Sequence, residues 1–348
     1  MGSTLATLKE LSEYTGFSVT TISRILNDDP TMNASEETRK AILEAAGKLN
    51  YRTTKSRRGR SPRRPVRIAL AEMLSPTELL NDPYYLYLKN YVEQDCVEHG
   101  YDIAYLRRVN GEFQLITPAE LDGIIAVGIF SPEEVASLYA IHPTVVFLDS
   151  APEEERSDSV VGNLRLGVEQ ALNDFTAHGH TRIGFIGPLE KLDDHKQPAP
   201  DVRRQQFIAH MKGLGLFRPE YMIDVATDAA LTHDALRALI ATGRPLPTAF
   251  LTHNEQNAIG AMRALGEAGI AVPEQVSIIA FNDTPLAELT TPPLTSVSMH
   301  IREMSRLAVR LLVERVPARG QAEIRSVSIK AILPPALIRR GSVADVKA

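Results

Sequence analysis

From Arg52 to Arg67 the sequence places eight basic side chains and no acidic one: Arg52, Lys55, Arg57, Arg58, Arg60, Arg63, Arg64 and Arg67. Cations at that density suit the phosphates of a polyanion. Upstream, Ser18, Thr21 and Ser23 carry short hydroxyls that can bind phosphate oxygens. Val19 and Thr20 carry methyls that can touch a thymine methyl, and Arg24 carries a planar fork that can contact guanine O6 and N7 together. A solvated surface arginine would look the same, so the type alone leaves both readings open. Catalytic chemistry has no comparable support. There is no Gly-x-Ser-x-Gly elbow, no Gly-x-x-x-x-Gly-Lys loop and no carboxylate spacing that singles out an acid/base pair. Glu153-Glu154-Glu155 reads as a solvated run, and His178-Gly179-His180 lacks a third clustered ligand for a metal. No enzyme, metal or cofactor is expected.

Charge is unevenly spread along the 348 residues. Residues 1–67 hold 13 Lys/Arg against 7 Asp/Glu, whereas the remainder holds 25 against 36. A basic head on an acidic body suggests that the head alone meets nucleic acid, and chance surface variation is the competing explanation. Cys96 is the single cysteine, so no internal disulfide or thiolate zinc site can form. With no apolar run approaching the roughly 18 residues of a membrane span and no signal-peptide pattern, a cytoplasmic location is expected.

The elements that would position these groups begin with three short helices. Thr7-Leu8-Lys9-Glu10 has the form of a capping box, with Leu8 and Leu11 inward in the helix it starts. Thr15-Gly16-Phe17 supplies a turn, and Ser18 caps a second helix from Val19 to Leu26 whose inward stripe is Ile22, Ile25 and Leu26. Asn27-Asp28-Asp29-Pro30 ends it, and Ser35-Glu36-Glu37 starts a third helix with Ala41, Ile42, Ala45, Ala46 and Leu49 at helical spacing. This is the helix-turn-helix layout, although a generic three-helix bundle shares its periodicity. Pro62, Pro65 and Gly59 make the basic segment a poor helix and a plausible linker.

Beyond Val66, apolar runs alternate with helix-length stretches. Strands are expected over residues 67–73, 122–129, 144–149, 182–187, 248–253 and 276–282, and amphipathic helices over 87–98, 165–177 and 256–268. Such alternation implies α/β lobes with parallel sheets and ligands near the strand carboxyl ends, and more than 250 residues imply two lobes. A sugar carrier, a receptor or an enzyme could share this core. The expected organisation is a helix-turn-helix domain over 1–52, a basic linker over 53–65, a two-lobed core over 66–340 and a tail over 341–348.

Specific wording narrows the choice. Thr7-Leu8-Lys9-Glu10-Leu11-Ser12, Gly16-Phe17-Ser18-Val19-Thr20-Thr21-Ile22-Ser23-Arg24-Ile25-Leu26-Asn27 and Leu49-Asn50-Tyr51 resemble the head of the LacI/GalR family of sugar-responsive bacterial repressors. The segments Ala177–Gly187, Pro247–Gln256, Val276–Asp283 and Pro292–Val297 resemble its core, so the likeness runs to about Arg340. The resemblance implies a periplasmic-binding-protein-like core and a homodimer on a pseudo-palindromic double-stranded operator. It assigns Val19 and Thr20 to base reading and Arg24 to the major groove. Thr7, Ser18, Thr21, Ser23, Asn27 and Tyr51 complete the DNA-binding set, joined by the linker residues Arg57, Arg58 and Arg60. The family's hinge-helix leucine would fall at Gly59 or Arg60, and this sequence lacks it. The tail lacks the heptad leucines that form tetramers in the lactose-responsive member, which leaves a dimer.

The resemblance also places sugar-hydroxyl contacts on Arg203, Asn254 and Asn282, with Asp149 as a further pocket residue. A guanidinium or amide can bond two neighbouring hydroxyls, but each of these polar groups could equally make a structural bond at a strand end. Glu255 and Asn282 depart from the lactose-responsive member, the first from an aspartate to a longer acid and the second from an aspartate to an amide. Asn81-Asp82-Pro83-Tyr84-Tyr85, Leu26–Thr31 and Asn282-Asp283-Thr284-Pro285 resemble a galactoside-responsive member. Tyr84 and Tyr85 could stack on a sugar or pack at a dimer interface. A galactoside effector is the expectation, with another sugar or a sugar phosphate as the alternative.

Overall fold

The computed structural model describes residues 7–26, 34–49, 51, 64–75, 78–79, 83–316 and 325–346, and the chain divides into two units, Met1–Arg64 and Pro65–Ala348. The head holds α1 (Leu8–Thr15), α2 (Val19–Leu26) and α3 (Glu36–Lys48). Thr7 and Glu10 form the capping box reciprocally, with Glu10 N donating to Thr7 Oγ1 at 3.2 Å and Thr7 N donating to Glu10 Oε2 at 2.6 Å. Gly16 takes φ 73° and returns its N–H to Ser12, a left-handed stop that glycine adopts without a Cβ clash. Ser18 Oγ accepts from Thr21 N at 3.1 Å and starts α2. Leu11, Ile22, Ile25, Ile42, Ala45 and Ala46 close the core, with Phe17, Leu49 and Tyr51 packed against it.

The second unit opens with β1 (Arg67–Glu72), α4 (Pro83–Glu98), β2 (Asp102–Val109), β3 (Glu112–Leu115), β4 (Gly123–Val127), α5 (Pro132–Ile141), β5 (Val145–Leu148) and β6 (Asp158–Gly162). Together with β14 (Lys330–Leu333) these strands form a sheet of order β14-β6-β5-β4-β1-β2-β3, parallel except for the β2–β3 hairpin. The chain then enters a second lobe through α6 (Leu164–Ala177), β7 (Ile183–Gly187), the hairpin β8 (Glu190–Leu192) and β9 (Pro198–Pro200), and α7 (Val202–Gly213). It continues with β10 (Met222–Asp224), α8 (Ala229–Ala241), β11 (Ala249–Thr252), α9 (Glu255–Glu267), β12 (Ser277–Asn282), α10 (Leu286–Leu289) and β13 (Thr295–Ser298). The chain returns through α11 (Ile301–Glu314) to β14 (Lys330–Leu333) in the first sheet and ends in β15 (Ala336–Ile338) in the second. The second sheet runs β10-β7-β11-β12-β13-β15, with β15 alone antiparallel.

Every residue of β4, β5, β7, β11 and β12 is buried. Such strands read as continuous apolar runs because helices cover both faces of a parallel sheet. Six strands thus stand where expected, with boundaries shifted by one or two residues. The expected 341–348 tail requires correction: residues 341–346 are part of the second lobe. Ser342 is fully buried, donates to Ile278 O at 2.6 Å and accepts from Thr295 N at 2.8 Å, while Val346 N reaches His178 O. Its hydroxyl satisfies backbone groups that a buried sheet end would otherwise leave unpaired.

Candidate functional site

Two sites emerge, one in each unit. Ser18, just before α2, and Val19 and Thr20 on it are exposed, Ser23 and Arg24 are half-buried, and Ile22 and Ile25 point the other way into the core. At 3.6 residues per turn, positions 19, 20, 23 and 24 share one helix face. Val19 on this face is exposed and takes no part in the head core. Thr21 is half-buried and its hydroxyl lies 2.9 Å from that of Ser18. Thr7 uses its hydroxyl in the α1 cap, and Tyr51 packs on the head core. Asn27, Arg57, Arg58 and Arg60 lie outside the described residues.

In the core, the chain passes between lobes after β6, after β13 and between β14 and β15. The carboxyl ends of the strands of the two parallel sheets therefore border a cleft. From the first lobe comes Asp149, directly after β5, at φ 78°. Tyr84 Oη donates to its Oδ1 at 2.9 Å and Tyr85 Oη to its Oδ2 at 3.0 Å. The two rings meet edge to face at 5.1 Å, and Tyr84 is buried against the lobe core. The tyrosine hydroxyls thus hold a carboxylate at the cleft, a role that neither sequence alternative contained.

From the second lobe come the N-terminus of α7 and the end of β11. Asp201 caps α7, accepting from Arg203 N at 3.0 Å and Arg204 N at 3.1 Å. Arg203 Nη2 donates to Asp201 Oδ2 at 3.3 Å, and its Nη1 donates to His253 O at 3.2 Å. The same Nη2 lies 3.0 Å from His253 Nε2, and the guanidinium carbon sits 5.6 Å from the Phe281 ring centre. Burial disfavours the charge on Asp201, but Arg203 and the hydrogen bonds outweigh it and hold the carboxyl well below its usual range. Burial, then Arg203, depress His253 to about 3, so the imidazole is neutral.

Asn254 is buried as the N-cap of α9, its Oδ1 accepting from Asn257 N at 3.1 Å. That bond is the structural alternative to a sugar contact. Asn282 ends β12 at φ 101°, opposite Ser298 of β13. Next to it, the buried Glu255 accepts from Thr284 N at 2.6 Å and from Thr284 Oγ1 at 2.9 Å. Sequence reading missed His253 and Asp201, although an acid two residues before an arginine at a helix start was a visible capping signal.

The β8–β9 hairpin ties the lobes together across the cleft. Lys196, at its tip, reaches both carboxylate oxygens of Glu134 on α5 at 2.9 and 3.0 Å, and Ala151 N donates to Asp194 Oδ1 at 3.2 Å. Glu134 also accepts from Arg108 at 2.6 Å and from Ser131 N at 2.9 Å. Lys196→Ala is expected to speed release of a cleft ligand about fivefold, the worth of a partly buried ion pair near 1 kcal/mol. Stopped-flow dissociation measures this, and an unchanged off-rate would show that the Lys196–Glu134 tie does not retain the ligand.

A helix-turn-helix reader in one chain with a two-lobed, cleft-bearing α/β core defines an effector-controlled transcription regulator. Residues 7–54 match the model described as bacterial regulatory proteins of the lacI family, and residues 172–343 match the periplasmic binding protein-like domain. The chain is 35% identical over 319 residues to the HTH-type transcriptional regulator GanR of Bacillus subtilis (strain 168), covering 90% of this chain and 93% of the relative. Among solved structures, the lac repressor dimer bound to operator and the anti-inducer ONPF aligns with TM-score 0.60 at 20% identity, covering 98% of this chain and 100% of that one. The CelR–cellobiose complex aligns with TM-score 0.63 at 22% identity, covering 97% and 99%. These two likenesses show the fold. The chain belongs to the LacI family and is a sugar-responsive, DNA-binding repressor of that family. Among the described residues, no helix is long and apolar enough to cross a membrane.

Proposed function

We propose that this protein is a cytoplasmic homodimer that binds a pseudo-palindromic operator through α2 and releases it when an uncharged sugar, a galactoside, enters the cleft. The observation that carries the effector reading is that two strand ends each present a fixed polar group, Asp149 held by two tyrosines in the first lobe and Arg203 held by Asp201 and His253 in the second. Carboxylates that accept and a guanidinium that donates suit vicinal hydroxyls, and Asn282 adds an amide. Asp201 and Asp149 together outweigh the charge of Arg203, which favours a neutral sugar over a sugar phosphate. The structural relative solved with cellobiose supports the sugar class. The galactoside identity rests on the motifs Asn81–Tyr85, Leu26–Thr31 and Asn282–Pro285. Arg57, Arg58 and Arg60 add phosphate contacts in place of a leucine wedge.

Genomic fragments retained by the protein supply the operator, and elution of those fragments by galactosides, ribose, cellobiose and sugar phosphates tests the effector. Elution by a sugar phosphate alone would overturn the neutral-sugar reading. Within that operator, Arg24→Ala is expected to weaken binding by roughly 1–3 kcal/mol and to relax preference at one base of each half-site. Selection of binding sites from randomised duplexes checks this. Equal loss on operator and random DNA would reduce Arg24 to a phosphate contact.

A further inference from the structure

We propose that His253 is a positioning residue of the effector site, whose imidazole sets the direction of the Arg203 fork and thereby decides which guanidinium N–H groups meet the sugar. The proposal rests on the cleft reading above. His253 follows β11, and its ring is buried with 2% of the residue exposed. Its backbone is fixed from both sides, with N donating to Ile186 O at 2.8 Å and O accepting from Arg203 Nη1. A guanidinium offers donors only. The 3.0 Å contact between Arg203 Nη2 and His253 Nε2 therefore requires a lone pair on Nε2. The ring proton then resides on Nδ1, which faces Asp201 Oδ2 at 3.5 Å.

A neighbouring glycine leaves the space that residue 253 occupies. A Cβ on Gly187, at the end of β7, would lie 2.6 Å from His253 Cβ, closer than real Cβ atoms come. Glycine at that strand end makes room for this histidine. The consequence falls on Arg203. Nη1 and Nη2 are engaged by His253 and Asp201, while Nε, also buried, has no partner among the described residues. A buried donor without a partner is costly, so the arrangement presents Nε–H to an incoming hydroxyl. Without the imidazole acceptor, Nη2 would turn and the fork would no longer be set before the sugar arrives.

Two amide variants of the full-length protein separate this role from simple space filling. In His253→Gln the side-chain oxygen reaches the position of Nε2, and in His253→Asn it reaches only that of Nδ1. Calorimetry with methyl β-galactoside and lactose is expected to show His253→Asn weaker by roughly tenfold or more, the worth of one charge-assisted hydrogen bond. His253→Gln should stay within about threefold of wild type by the same reasoning. Nitrogen-15 NMR of histidine-labelled, sugar-free protein should place the His253 proton on Nδ1. Equal affinity in the two variants, or a proton on Nε2, overturns the proposal. A wild-type protein that binds neither galactoside nor any of the sugars screened for elution overturns the cleft reading and the positioning role with it. That failure is distinguishable, because the Nδ1–H signature would then persist without a ligand.

Discussion

Arg203→Ala is expected to abolish the response to sugar while leaving sugar-free operator affinity within a few-fold of wild type. An effector moves an operator equilibrium only by as much as it binds one lobe arrangement better than the other. Arg203 is the cation among the proposed cleft contacts, and its charge-assisted hydrogen bonds contribute about 1.5–3 kcal/mol each. One such bond from Nε to a sugar amounts to a loss of about ten- to a hundredfold in affinity, enough to push the response beyond usable concentrations. The variant also leaves Asp201, which is 3% exposed, without its guanidinium partner, so a lower melting temperature should accompany the loss. Arg203→Lys separates the two effects. An ammonium can neutralise Asp201 and restore stability, yet it lacks the planar fork and should remain unresponsive. Fluorescence anisotropy of a labelled operator during sugar titration reads both variants. Release of operator by Arg203→Ala at the wild-type sugar concentration would place Arg203 outside the effector site.

The features legible in the sequence are those whose causes are local. Thr7 and Glu10 stand three apart before an apolar stripe, so their reciprocal cap needs no tertiary information. The strands β4, β7 and β12 announce themselves because residues buried on both faces form unbroken apolar runs. The exposed strands β8 and β9 lack any such run, and a hairpin made of Glu190–Leu192 and Pro198–Pro200 has no periodicity to detect. Ser342 looks like a tail residue until its hydroxyl is seen bridging Ile278 and Thr295. The site divides in the same way. Arg203 and Asp149 were visible through their motifs, but the pairing of Asp149 with tyrosines 64 and 65 positions away is purely tertiary. Asn254 shows the ambiguity of a single residue type. The amide that the motif offers to a sugar is, in the fold, the cap that starts α9.

Raising the pH through neutrality is expected to destabilise the protein through Glu255, and Glu255→Gln should remove that dependence. Burial pushes the Glu255 carboxyl up to about 8, with Asp283 adding to the rise and Thr284 and Arg340 opposing it. An unfolded glutamate titrates near 4.3. Between these values the folded protein holds a proton that the unfolded chain has lost, so stability falls with rising pH across that window and levels off above about 8. His233 contributes in the same sense, because hydrogen bonds to Glu267 and Asp234 raise it, and its stabilisation is lost as pH climbs through the folded value. The decisive quantity is therefore the difference between wild type and Glu255→Gln, in which His233 cancels. Glutamine reproduces the protonated acid. Its amide oxygen can accept from Thr284 N and its NH₂ can donate to Thr284 Oγ1, the two atoms that Glu255 contacts. Urea denaturation at about pH 6 and about pH 9 should show the variant gaining on wild type by on the order of 3 kcal/mol at the higher pH. Parallel pH profiles for the two proteins would mean that Glu255 is ionised in the fold, with its charge met by Arg340 and the N-terminus of α9.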